Sequence, residues 1–293
     1  MKTTNNDYFK FFLDILIVIK TLFKSKINNI FTPFRISFEN KNSKECIILG
    51  NGPSLNKDID HLNNIDNNSD LFVVNYFARS EYFYKLKPTQ YFFSDKMFWS
   101  NVILDKVKND NEAVFEILKS VNWKIDILCP VEGFKFISDK LSKNKNLTIK
   151  IIPIRYSNLL SEKSSYSAIK NRYYSVPNVN SVITLLWMSI FMNYNKITLY
   201  GCDFSAFKDL KVDQKTNHLI VSTKHFYGNS LAEKDASKKY INQVNKTLSV
   251  RLYQVYRGFK LLDILAKISK DLNVEVINGS SFSFIDSFPR SQQ

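Results

Sequence analysis

The sequence predicts an α/β fold: a mostly parallel sheet with helices on both faces. Three observations carry this expectation. Short apolar runs recur along the chain and alternate with stretches of helical pattern. Most of the runs are apolar throughout, as strands buried on both faces are. Three of them end in small or polar residues, at positions 51–54, 75 and 201–205. Carboxyl ends of parallel strands share one edge of the sheet, so these three ends can converge on one ligand.

The elements follow in order. Residues 45–50 form the first strand, which the run Asn51, Gly52, Pro53, Ser54 breaks sharply. The chain has only 7 glycines and places two of them here. Glycine permits close backbone approach and positive φ, while proline fixes a turn and can open a helix. Such a turn either cradles phosphate on free N–H groups and a helix dipole, or simply joins a strand to a helix. Residues 57–65 suit a short helix, 70–75 a strand ending in Asn75, and 90–95 a strand ending in Ser94 and Asp95. An amphipathic helix is expected over about 98–107, and strands over 123–129 and 147–152, each closed by a proline. Asn180 and Ser181 cap an apolar helix over 182–192. The strand 196–200 then leads into Gly201, Cys202, Asp203, Phe204 and Ser205. The segment 206–231 is polar and irregular, with the length of a lid or a disordered loop. A long helix over about 238–272 precedes a last strand at 274–277.

Composition narrows the class. Hydrophobic residues make up 44% of the 293, enough for a sizeable core. The net charge of +14 asks for an acidic partner: nucleic acid, an anionic membrane surface or a phosphorylated substrate. No zinc-finger spacing, recognition helix or aromatic–basic RNA pattern is present, so nucleic acid is set aside. Cys46, Cys129 and Cys202 lie in or beside apolar runs, as buried thiols in a reducing cytoplasm do. Three histidines without a Cys/His cluster give no zinc pattern, and no metal is expected. Residues 1–40 stand apart. The stretch 8–23 is strongly apolar but interrupted by Lys10, Asp14 and Lys20, awkward for a span and suited to an amphipathic helix at a membrane surface. A helix packed on the domain is the alternative.

Taken together, "IILGNGPSL", the strand ending in Asn75, the Asn180–Ser181 helix, "ITLYGCDFS", a lid with "KHFYGN" and the closing "VEVINGSSFSFID" resemble the bacterial sialyltransferases of glycosyltransferase family 42. The resemblance covers roughly residues 45–288. It implies a single Rossmann-like domain over 41–293 with a lid at about 206–231, binding a CMP-linked sugar without a metal or other cofactor. By the same resemblance Asn51, Gly52, Ser54, Asn75, Ser181, Gly201 and Asp203 contact the donor, and a lid histidine acts as base. The sequence departs from the family at several points. The position of a family arginine falls near Asn178 or Val179, a phosphate-binding tyrosine is Ser205, a strand asparagine corresponds to about Ser94 beside Asp95, and the usual base position is Asn229, with His225 four residues earlier. Related pterin-pyrophosphokinase-like and flagellin-modification proteins share the Gly-Pro-Ser turn.

The expected activity is therefore metal-independent, inverting transfer of a sugar, sialic acid among the candidates. A nucleotide donor would give it up to a glycan or lipid-linked acceptor of lipopolysaccharide or capsule type, at the cytoplasmic face of a bacterial inner membrane. His225 suits the acceptor base because imidazole titrates near neutrality. His218 is the alternative base, and Tyr227 a phosphate partner or lid packing. A pterin-pyrophosphokinase-like enzyme, or a glycan or flagellin assembly factor without turnover, are the competing readings. A homo-oligomer is compatible with all three.

Overall fold

The computed structural model describes residues 44–64, 69–100, 105–152, 154, 161–192, 194–222, 226, 233–235 and 247–291, with positions 12, 13 and 16. A seven-stranded sheet organises them. Its strands are β1 (Glu45–Leu49), β2 (Asp70–Val74), β3 (Gln90–Phe92), β4 (Ile125–Pro130), β5 (Leu147–Ile152), β6 (Lys196–Tyr200) and a last strand, Glu275–Asn278. The order across the sheet is last strand–β6–β1–β2–β3–β4–β5, and every pairing is parallel. The chain runs outward from β1 to β5, then returns to the other side of β1 with β6. The β1–β6 boundary is thus the point where winding reverses, and open α/β sheets bind ligands at that crevice.

Strand residues alternate between the two faces, and both faces are covered. On one, Ile48, Phe72, Phe92 and Leu128 pack with the helices Ser181–Ile190 and Leu248–Asp271. On the other, Ile47, Leu49, Leu71, Val73, Tyr91 and Ile127 pack with Val114, Phe115 and Leu118, and with Ile137 and Leu141. In chain order the helices are α1 (Leu55–Asp58), α2 (Tyr82–Leu86), α3 (Asp105–Lys119), α4 (Val131–Leu141), α5 (Glu162–Lys170), α6 (Ser181–Ile190) and α7 (Leu248–Asp271). Helix α6 is apolar almost all round because it is buried all round, with Trp187 fully enclosed. Asn180 starts it, its Oδ1 accepting the Val182 N–H at 2.8 Å.

The expected strands are present, though 90–95 pairs only as far as Phe92. Several helices differ from expectation. Residues 96–98 form a 3-10 turn, and the amphipathic helix is α3 instead, with Val114, Phe115 and Leu118 at i, i+1, i+4 facing the sheet. Helices α4 and α5 were not expected: Gly133 and the alternation of Lys with apolar residues hid the stripe of α4. The segment 206–231 is not simply irregular. It contains β7 (Leu210–Val212) and β8 (Leu219–Ser222), which join β9 (Glu233–Asp235) in a small antiparallel sheet. The described part of the long helix starts at Leu248, capped by Thr247. The last strand of the large sheet is accordingly β10. All three cysteines are free and buried. Burial pushes the Cys46 and Cys202 thiols far up and Cys129 to about 12, so none is a nucleophile at neutral pH. Among the described residues no helix is long and apolar enough to cross a membrane. The expected N-terminal amphipathic helix lies almost wholly outside the described residues.

Two glycines make opposite demands on the fold. A Cβ on Gly50 would run into the Gly201 carbonyl group, which is backbone and cannot step aside. A Cβ on Gly258, inside α7, would meet only Ile183 Cδ1 at 3.7 Å. Gly50→Ala should therefore cost about 1–3 kcal/mol of stability by overpacking. Gly258→Ala should be neutral or stabilise by up to about 1 kcal/mol through helix propensity. Urea unfolding of the two variants reads both effects; equal stabilities would contradict the packing described at the β1–β6 edge.

Candidate active site

The turn after β1 and the turn after β6 are built against each other. Gly50 N–H donates to the Tyr200 carbonyl at 2.8 Å, and Gly52 N–H to the Gly201 carbonyl at 2.8 Å. Gly201 adopts φ +62°, a conformation natural only to glycine. Asp203 then turns its buried carboxylate onto Ser54, accepting the Ser54 hydroxyl at 2.5 Å and the Ser54 N–H at 3.2 Å. Burial raises the Asp203 carboxyl above its ordinary 3.8, with the charge of Asp58 adding to the rise and Ser54 opposing it.

This geometry bears on the two readings of the Asn-Gly-Pro-Ser turn, a cradle for phosphate or a plain joint between strand and helix. The Gly52 N–H is bonded to Gly201, the Ser54 N–H to Asp203 and the Leu55 N–H to the Gly52 carbonyl. An acid of the protein itself occupies the place an anion would take, and α1 is only four residues long. Gly52 is small for an internal reason as well: a Cβ there would overlap the Asp203 carboxylate and lie 2.6 Å from the Gly201 oxygen. Pro53 holds the bend, its carbonyl accepting from Asn56 N–H at 3.2 Å.

Asn51 connects this edge to its surroundings. Its side-chain amide donates to the Val74 carbonyl at 3.1 Å, and its own carbonyl accepts the Phe226 N–H at 3.2 Å. Phe226 is buried, its ring 5.4 Å from that of Phe77. Sequence reasoning passed over Phe226, which is bonded to the strand edge at Asn51.

One strand over, three predicted residues meet. Asn75 ends β2 in a left-handed conformation, φ 48°, which asparagine tolerates better than most residues. Its amide nitrogen donates to Ser94 Oγ at 3.1 Å and Ser181 Oγ at 3.0 Å, and its Oδ1 accepts the Ser94 N–H at 3.0 Å. The two serine hydroxyls lie 2.5 Å apart. Asn178 adds a bond from its amide to the Ser94 carbonyl at 2.6 Å, and Thr184 Oγ1 donates to Asn178 Oδ1 at 3.3 Å. One hydroxyl hydrogen serves the contact between the serines; the other is left to Asn75 Oδ1 or to a ligand. The cluster is neutral, half-buried and held from β2, from the chain after β3 and from the start of α6.

The remaining predicted residues serve local structure. Asn180 caps α6, Asp95 accepts the Met97 N–H at 3.1 Å in the 3-10 turn, and the Ser205 carbonyl accepts the Lys208 N–H at 3.0 Å. His225, Tyr227 and Asn229 lie outside the described residues. His218 closes the β7–β8 hairpin, its carbonyl taking the Asp213 N–H at 2.9 Å. Among the described residues no three His, Cys, Asp or Glu side chains are grouped as a metal site needs. Asp58 was not expected: buried, it accepts the Ser281 N–H at 2.9 Å and ties the C-terminal turn to the β6 edge. Its place one turn past the Ser54 break was the available signal.

No protein-family model and no curated protein matches the chain. Among solved structures it is similar to an alpha-2,3-sialyltransferase from Campylobacter jejuni in apo form. That match has a TM-score of 0.43 and 17% identity over 86% of this chain and 81% of the other.

The raised Asp203 carboxyl makes stability depend on pH in a definite direction. Between its ordinary 3.8 and its higher folded value the native state holds a proton that the unfolded chain has released. Asp203 thus favours the fold at low pH, and that contribution is lost as pH rises through the window. Asp203→Asn should flatten this part of the profile, measured by urea unfolding from pH 4 upward. An unchanged slope would mean the carboxyl is not shifted in this sense.

Proposed function

We propose that the chain is a glycosyltransferase that takes a sugar from a nucleotide donor and passes it to the hydroxyl of a glycan or lipid-linked acceptor. The donor proposed is a CMP-linked sugar, CMP-sialic acid among them. The observation that carries this reading is the neutral amide–hydroxyl cluster of Asn75, Ser94 and Ser181 at the strand carboxyl edge, next to the point where the winding reverses. Neutral groups that both donate and accept suit the hydroxyls of a sugar and the edge of a pyrimidine. Ser181 also opens α6, a ten-residue helix whose dipole favours a phosphate at that end.

In this reading His225 removes the proton of the acceptor hydroxyl. The acceptor oxygen bonds to the anomeric carbon from the side opposite the leaving phosphate, and the carbon–oxygen bond to the phosphate breaks with inversion. Ser181 and Tyr227 donate hydrogen bonds to the departing phosphate, with no metal required. Phe226, next to His225 in sequence and bonded to Asn51, supports a lid working at this edge. Pyrophosphoryl transfer would draw on carboxylates for magnesium, whereas Asp203 is engaged by Ser54 and Asp95 by Met97. Residues 1–40 would hold the enzyme at the cytoplasmic face of the inner membrane.

Two measurements test the reading. Ser181→Ala and Asn75→Ala should weaken binding of CMP or its sugars by about 1–3 kcal/mol each, since each strips partners from a half-buried network. Calorimetry with CMP, UDP and GDP checks this, and no binding of any of them would sink the proposal. His225→Ala should slow nucleotide release about 10²–10⁴-fold with donor affinity kept, while His218→Ala should not. If His218→Ala is the slow variant instead, the base has been misassigned.

A further inference from the structure

The polar groups of Asn75, Ser94 and Ser181 can be assigned hydrogen by hydrogen. The Ser94 N–H donates to Asn75 Oδ1 at 3.0 Å, which settles the orientation of the amide: a flipped side chain would set two donors face to face. Both amide hydrogens of Asn75 are then committed, one to Ser94 Oγ at 3.1 Å and one to Ser181 Oγ at 3.0 Å. Asn178 holds the Ser94 carbonyl at 2.6 Å, so the backbone of Ser94 is gripped on both sides. Ser94 is buried, while Ser181 is half-buried. Two protons remain to be placed, those of the serine hydroxyls, whose oxygens lie 2.5 Å apart.

Two arrangements satisfy these atoms. In the first, the Ser94 hydroxyl donates to Asn75 Oδ1 at 3.2 Å and the Ser181 hydroxyl donates to Ser94. Ser94 Oγ then accepts twice, and Ser181 keeps a spare lone pair. In the second, the Ser94 hydroxyl donates to Ser181, whose oxygen now accepts from both Asn75 and Ser94. The Ser181 proton is left to donate to a group outside the cluster. The choice between them turns on one hydroxyl rotation at Ser94. An anionic oxygen selects the second arrangement, because it repels a lone pair and accepts a proton. Hydrogen bonds in a chain polarise one another, so the bonds from Asn75 and Ser94 make Ser181 a stronger donor.

We infer that Ser94 is a positioning residue, whose hydroxyl donates to Ser181 and so turns Ser181 into the donor that meets a nucleotide phosphate. This rests on the nucleotide-donor reading above and adds that Ser94 acts through Ser181 rather than on the ligand. Calorimetry of the full chain with CMP, and with cytidine, which lacks the phosphate, tests it. Ser94→Ala should weaken CMP binding about tenfold and leave cytidine unchanged, whereas a structural loss would weaken both. Ser94→Cys, whose thiol donates only weakly, should weaken CMP in the same direction. Ser181→Ala should also cost CMP about tenfold or more, and adding Ser94→Ala to it should cost nothing further. Circular dichroism melting confirms that the variants stay folded. Full CMP affinity in either Ser94 variant, an equal loss for cytidine, or losses that multiply in the double variant overturn the inference and leave the nucleotide reading intact. Full CMP affinity in Ser181→Ala, or wild-type protein that binds no CMP, overturns the reading of the site as well.

Discussion

The distance between β1 and β6 governs this molecule. Their carboxyl ends approach so closely that Gly50 faces the Gly201 carbonyl with no room for a side chain, and the Gly52 N–H reaches across to the same residue. That contact holds together the two strands at which the winding reverses. A sheet normally opens a crevice there. Here the gap is partly closed from within, because Asp203 fills the cup of the turn with its own carboxylate and Ser54 meets it with two donors. Burying an acid this way is tolerable only because the hydrogen bonds are supplied. The turn is thereby fixed, and a second set of polar side chains gathers one step away, toward β2, β3 and the start of α6.

This arrangement separates what the sequence revealed from what it concealed. The parallel sheet was legible because buried strands such as Ile47–Leu49 and Phe72–Val74 are apolar on both faces, and because the helix at Asn180 carries its cap in the sequence. That Asn75, Ser94 and Ser181 approach one another was also anticipated, since strand ends and a helix start share one edge. The role of Asp203 was not. A carboxylate at a strand end reads as a ligand contact, and its bond to Ser54, 149 residues away in the chain, is what the sequence does not show. Helix α3 was expected too early in the chain and α4 not at all, for a related reason: their polar faces are rich in charged residues, and their buried stripes are narrow.

Asn75 illustrates how local strain and binding chemistry combine. Its left-handed backbone turns the chain out of β2 into a 3-10 turn, and Tyr91 holds its carbonyl with the phenol hydroxyl. The side chain is then free of backbone capping and spends all its capacity on two serines from distant elements. An aspartate would keep the acceptor but lose both donors, and an alanine would lose everything. The three side chains are thus ordered by one another within the fold, each rotamer held by a bond to a distant element.

Helix α7 shows why exposure cannot be read from a sequence alone. Its two halves are almost equally apolar, yet Leu262 and Leu265 are fully buried while Leu252 and Tyr256 stand in solvent. The dividing point is Gly258, the first buried residue of the helix, where an added Cβ would meet Ile183 of α6 at 3.7 Å. Beyond it the sheet and α6 lie beneath the helix; before it they do not. Periodicity sees one continuous amphipathic element, because the apolar spacing persists past the edge of the core.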